Sequence, residues 1–193
     1  MKKLTSLLEL LAYQLEAMYD AEKKLQHTLP VFYETIKSSA IKQEVKKYAE
    51  LASDKRTKLK RIFSYLLVER FGRKNEVIDS LLNDTQETLS FASTDHLRET
   101  ALLTCIQNIN NYKMASYHTA QIIAIELNLE TVADLLHEIF EWEKETDRAM
   151  TQIAIEELRY GSIFINDFAL YKSEFDQNIQ CYENNDSVPK IHD

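Results

Sequence analysis

The chain is predicted to be all-α, a four-helix bundle made of two helical hairpins, and three observations carry that prediction. Its 193 residues include only two glycines and two prolines, too few for the many tight turns that strands require. Apolar residues recur at steps of three and four along four long stretches, the spacing of one helix face. The links within the first pair of stretches and within the second pair are short, whereas the link between the pairs is long, so each pair forms an antiparallel hairpin.

The first helix starts near Thr5 or Ser6, either of which can cap it, and its stripe runs Leu8, Leu11, Leu15, Met18, Leu25 and Leu29. Pro30 removes one backbone donor, which predicts a kink, while Val31, Phe32 and Ile36 extend the pattern to Lys37. After a turn at Ser38-Ser39, the second helix spans Ile41 to Phe71, with Val45, Tyr48, Ala52, Leu59, Ile62, Phe63 and Leu66 inward and Gly72 in the left-handed position that closes a helix. A short extra helix around Val77, Ile78, Leu81 and Leu82 interrupts the crossover. Ser93, Thr94 and Asp95 offer caps for the third long helix, which ends near Leu127. Asn128, which tolerates the left-handed conformation, turns the chain into the fourth long helix, from Thr131 to about Arg159. Residues 1–160 therefore read as the bundle. Residues 161–193 read as a C-terminal extension whose Ile163, Phe164, Ile165, Phe168, Leu170 and Phe175 dock a short helix before a frayed polar end.

A formal net charge of −8 argues against nucleic acid or an anionic membrane surface as partner. No apolar run reaches the roughly 18–20 residues of a transmembrane helix, and no signal-peptide pattern opens the chain, so a cytoplasmic protein is expected. Cys105 sits on a core face and Cys181 in the polar tail, which gives no disulfide framework. Walker loops, dinucleotide fingerprints and nucleophile elbows are absent, which removes most nucleotide-dependent and hydrolytic chemistry.

The informative feature is a break in the apolar stripes at one depth. On the fourth long helix, Val132, Leu136 and Ile139 lead to Glu143 and then to Thr146/Asp147, Met150 and Ile153. On the first, the step from Met18 to Leu25 lands on Glu22. Ser53 and Arg56 interrupt the second, and Asn110 and Lys113 flank the inward face of the third. A buried carboxylate costs several kcal/mol, roughly, unless a cation, a metal or a proton meets it. Bundles that carry polar groups to one layer build di-iron and di-manganese sites, from a Glu on two helices and a Glu-x-x-His on each of the others. Here no Glu-x-x-His exists; its nearest relative, Asp134 to His137, falls on a polar face. Arg56 has no lone pair to give and would repel a divalent ion. The expectation is a metal-free cluster in which Arg56 and Lys113 neutralise Glu22, Glu143 and Asp147, with hydrogen bonds from Tyr19, Ser53, Asn110 and Tyr112. The alternative is iron or manganese held by Glu22, Glu143 and Asp147, with Glu50 as a further ligand if the second helix slides.

Other candidates have plainer readings. Ten tyrosines invite an electron-transfer role, but amphipathic filler whose hydroxyl finds a carboxylate or carbonyl is the commoner use. Trp142 reads as bundle wall or subunit contact, and His27, His96, His118 and His192 lack any partner spacing that suggests catalysis.

Three segments carry a family resemblance: Tyr19-Asp20-Ala21-Glu22-Lys23-Lys24-Leu25, Tyr112-Lys113-Met114-Ala115-Ser116-Tyr117 and Glu143-Lys144-Glu145-Thr146-Asp147. In order, on three helices, they resemble the YciE/YciF group of ferritin-like bacterial stress proteins, a domain of unknown function. The resemblance runs from about Thr5 to Leu158. It implies a ferritin-like bundle, often a homodimer, associated with stress responses and in some members with a di-metal site. Glu22, Glu143 and Asp147 match acidic positions of that site, whereas Ser53 and Arg56 stand where the family has Glu-x-x-His, and Asn110 and Lys113 where it has glutamates. The expected function is accordingly a stress-associated structural or binding role without enzymatic activity. An iron- or manganese-binding protein that handles peroxide or oxygen is the alternative, and a bundle that takes an apolar ligand or a partner helix is a third class.

Overall fold

The computed structural model describes residues 3–67 and 72–162. Among them the ordered elements are five helices and no strands: α1 (Leu7–Tyr33), α2 (Ser39–Leu66), α3 (Glu76–Phe91), α4 (Asp95–Glu126) and α5 (Glu130–Ser162). The four long ones are α1, α2, α4 and α5, and α3 lies in the crossover. Two compact units divide the chain, Met1–Ile155 and Glu156–Asp193, and the bundle belongs to the first. The apolar residues expected to dock the tail, Ile163 to Phe175, together with Cys181 and His192, lie outside the described residues.

Side chains that oppose the free N–H groups of a first turn set the helix starts. Ser6 accepts from Glu9 N, Ser38 from Ile41 N, Asn75 from Ile78 N and Thr94 from Leu97 N. The α1–α2 turn is fastened from a distance: the Glu99 carboxylate of α4 accepts from the backbone N–H groups of Lys37 and Ser38. Asn128 has φ 57° and reverses the chain between α4 and α5.

Several boundaries differ from expectation. The first helix stops at Tyr33 rather than Lys37; Ile36 is buried, but from a turn in which Thr35 and Ile36 bond back to Phe32 and Tyr33. An inward residue in a turn mimicked one more helical step. Pro30 is accommodated inside α1, close to its end. The second helix stops at Leu66, because Leu67 takes the left-handed conformation (φ 52°) expected of Gly72, which also has positive φ (70°) but lies beyond. The crossover helix is 16 residues long, more than a brief interruption. The last helix runs to Ser162, past the Arg159 where it was expected to end.

One core runs the length of the bundle, built from stripes such as Leu11, Leu15, Met18, Leu25 and Leu29 of α1. α1 packs against α2, α4 and α3, and α3 against α4. α5 meets α4 through Asn110 and Gln107 and meets α2 through Lys55 and Lys58. Every long helix thus presents its stripe to the same interior.

Candidate functional site: a buried layer of paired charges

Each long helix carries one charged residue of zero exposure into the interior, in strict helical register. On α1 the fully buried series is Leu11, Leu15, Met18, Glu22, Leu25 and Leu29; on α5 it is Val132, Leu136, Ile139, Glu143, Thr146 and Met150. On α2 it is Ile41, Val45, Tyr48, Ala52, Lys55, Leu59 and Ile62, and on α4 Leu102, Ile106, Asn110, Lys113, Tyr117, Ala120 and Ala124. Steps of three and four leave these side chains no route to solvent. Glu22, Lys55, Lys113 and Glu143 all have zero exposure.

The four charges form two carboxylates against two ammonium groups. Lys113 Nζ lies 2.8 Å from Glu22 Oε1, 3.0 Å from its Oε2 and 2.8 Å from Glu143 Oε1. Lys55 Nζ lies 2.8 Å from the same Glu143 Oε1. Two tyrosines complete the layer. Tyr117 donates to Glu22 Oε1 at 2.7 Å, and the Tyr48 hydroxyl accepts from Lys113 at 3.2 Å while its ring lies beneath both ammonium groups, 4.6 Å and 5.0 Å from its centroid. Asn110 ties α4 to α5 by donating to the Glu143 carbonyl at 3.0 Å. Asn110 Oδ1 and Glu143 Oε2 are buried and accept no hydrogen bond.

The electrostatics follow from that arrangement. Burial pushes Lys113 down, but Glu143 and Glu22 outweigh it and hold the ammonium well above the ordinary lysine range. For Lys55 burial is the larger influence; Glu143 offsets it in part, and the group sits below the ordinary lysine value. Burial pushes Glu143 up, yet Lys113 and Lys55 more than reverse this and keep it ionised. Burial first, then the neighbouring carboxylates, push both tyrosine hydroxyls well up, Tyr48 chiefly through Glu143 and Tyr117 chiefly through Glu22.

The layer brings together Glu22, Asn110, Lys113 and Glu143 of the sequence-predicted residues, and it does not include the others. Arg56 is the main correction. It is half-buried, donates to Gln26 Oε1 and to the Tyr19 hydroxyl (3.3 Å), stacks on the Tyr19 ring at 5.3 Å, and pairs with no carboxylate among the described residues. One residue along a helix is a rotation of about 100°, so Lys55 points inward and Arg56 passes to the α1–α2 edge. Ser53 and Tyr19 are half-buried on that edge, and Glu50 is exposed, 3.9 Å from Lys46. Asp147 is half-buried and joins none of these pairs; Thr146, donating to the Trp142 carbonyl, takes its place in the α5 stripe. Tyr112 belongs elsewhere, in a hydrogen bond with Asn75 at the start of α3. Lys55 was the residue sequence reasoning missed. The signal was available, because the steps Tyr48, Ala52, Leu59 and Ile62 skip one inward position, and that position is Lys55.

A pair of divalent ions does not fit this donor set. Only two carboxylates enter the layer, and their charge is already neutralised by ammonium groups at contact distance. Among the described residues no three His, Cys, Asp or Glu side chains are grouped so as to hold a metal ion.

Comparison with known proteins agrees with the architecture. A family model described as a domain of unknown function (DUF892) matches residues 6–160. Protein YciF of Escherichia coli K12 is 26% identical over 140 residues, covering 71% of this chain and 83% of YciF. Among solved structures, that of the E. coli stress protein YciF superposes with a TM-score of 0.78 at 22% identity, covering 81% of this chain and 99% of that one. YcfI of Rhodopseudomonas palustris, provisionally described as a structural protein, gives 0.75 at 21% identity, covering 78% and 96%. No helix among the described residues is long and apolar enough to cross a membrane.

Proposed function

Since the chain belongs to the DUF892 family, whose model matches residues 6–160, and resembles the stress protein YciF, we propose that it serves a stress-associated structural or binding role without chemistry at its centre. The observation that carries this reading is the closed, charge-neutral layer. Glu22 and Glu143 meet Lys113 and Lys55 at 2.8 Å, and all four have zero exposure. Oxygen or peroxide chemistry needs an open coordination position and a path for substrate, as catalytic metal sites keep. Two ammonium groups fill the electrostatic role that a metal pair has in bundles of this type. Function is then exerted from the surface, by a cytoplasmic homodimer. The outward face of α4, where Ile122 and Ile125 are more than half exposed, is the feature that favours self-association.

The test is a ferrous-iron oxidation assay under air, with and without hydrogen peroxide, on protein purified without chelator. The rate should equal that of buffer. A protein-dependent rate that saturates with iron, and that Glu143→Gln abolishes, would overturn the reading in favour of an iron- or manganese-dependent protein.

A further inference from the structure

We infer that the layer excludes divalent cations by charge rather than by shape, and that Lys55 is the residue that decides it. The inference rests on the metal-free reading above and deepens it. In the native layer two carboxylates balance two ammonium groups, so a divalent ion would bring two uncompensated charges into a region of zero exposure. Such a charge is not tolerated without partners.

The two lysines are not equivalent. Lys113 bridges both carboxylates and bonds to Tyr48, so it joins α4 to α1, α2 and α5 at once. Lys55 touches one carboxylate oxygen, Glu143 Oε1. Its removal leaves the Lys113 bridge to Glu22 intact. The oxygens left over are the ones a hard cation uses: Glu143 Oε2 and Asn110 Oδ1, which accept no hydrogen bond, while Glu143 Oε1 keeps its 2.8 Å pairing with Lys113. Replacing Lys55 by glutamate would give three carboxylates against the single Lys113 ammonium. One divalent ion then restores neutrality, and a second does not. The layer is therefore one substitution away from a mononuclear oxygen-ligated site.

The experiment compares native protein, Lys55→Glu, Lys55→Glu/Glu143→Gln and Lys55→Met by elemental analysis after equilibration with Mn2+ and removal of free metal, and by melting with Mn2+ or with chelator. Lys55→Glu should retain about one Mn2+ per chain, a stoichiometry set by the charge balance, and its Tm should rise with Mn2+ and fall with chelator. The double variant, Lys55→Met and the native protein should retain none and show no shift. A folded Lys55→Glu that binds no Mn2+, a Lys55→Glu that stays unfolded with Mn2+ present, or a Lys55→Met that binds as well as Lys55→Glu would each overturn the inference. Manganese retained by the native protein would instead overturn the metal-free reading itself, so the two failures are distinguishable.

Discussion

Two clusters of charge hold this bundle together, and they differ in one respect, access to water. In the central layer, Glu22, Lys55, Lys113 and Glu143 have zero exposure and tie α1, α2, α4 and α5. At the crossover, Lys24 pairs with Asp20 (2.7 Å) and Asp79 (2.6 Å), with exposures of 21% for Lys24 and Asp20 and 47% for Asp79. Asp20 also accepts from Asn75 N, and Asn75 caps α3 while donating to the Ala17 carbonyl and to Tyr112. The distances are alike. What differs is the alternative available to each charge if its partner is lost: crossover groups turn to water, whereas layer groups cannot. Contact distance is therefore a poor guide to consequence, and burial is a good one.

The largest loss is expected at Lys113. Lys113→Ala leaves Glu22 in the interior without a cation and Glu143 with Lys55 alone, and should cost about 3–5 kcal/mol, the range for breaking a buried pair, measured by urea denaturation. A loss under about 1 kcal/mol would place the layer in contact with water.

Titration sharpens the same contrast. Glu143 is depressed in the fold, so its contribution is complete above the ordinary glutamate value of 4.5 and is lost as pH falls through its lower folded value. Lys113 is raised, so its contribution is complete below the ordinary 10.5 and is lost only as pH rises through its higher folded value. Lys55 acts in the opposite sense, because the folded state releases that proton first and stability gains between its folded value and 10.5. Denaturation followed against pH should therefore show a fall in stability below 4.5, and Glu143→Gln should flatten that acid limb. An acid limb unchanged by Glu143→Gln would contradict the assignment.

At the crossover the largest single effect should come from Asn75→Ala, which removes a helix cap, a buried hydrogen bond to the Ala17 carbonyl and a part-buried one to Tyr112, for about 1–2 kcal/mol. Asp79→Asn should change stability by less than about 1 kcal/mol, and less still in high salt. Arg56→Ala belongs with this milder group. Its partners are the neutral Gln26 and Tyr19, so a loss of about 1 kcal/mol is expected, and a loss as large as that of Lys113→Ala would return Arg56 to the core.

Much of this was legible in the sequence because periodicity and capping are local. The apolar stripes placed all four long helices, Ser6 and Thr94 sit where capping chemistry puts them, and Asn128 turns the chain as its tolerance of positive φ allows. The ends were harder, since Ile36 is buried from a turn and Leu67 adopts a conformation that favours glycine. The layer itself was half legible. A carboxylate in an apolar stripe is conspicuous, which exposed Glu22 and Glu143. A lysine is not, because its long stem usually carries the charge to the surface, and Lys55 sits among outward-facing lysines of α2. Reading Ser53 and Arg56 by the spacing of a ligand motif, rather than by the stripe itself, shifted the inward face of α2 by one residue. On α5 the stripe allowed either Thr146 or Asp147 after Glu143, and the step of three to Thr146 is the inward one.

The role proposed for the two ammonium groups is to neutralise the buried carboxylates in place of metal ions. It is tested most directly by elemental analysis of the native protein purified without chelator, paired with its melting curve before and after chelator treatment. No stoichiometric iron or manganese and superimposable curves are expected. One or two metal equivalents per chain, together with a Tm that falls on chelation, would contradict it.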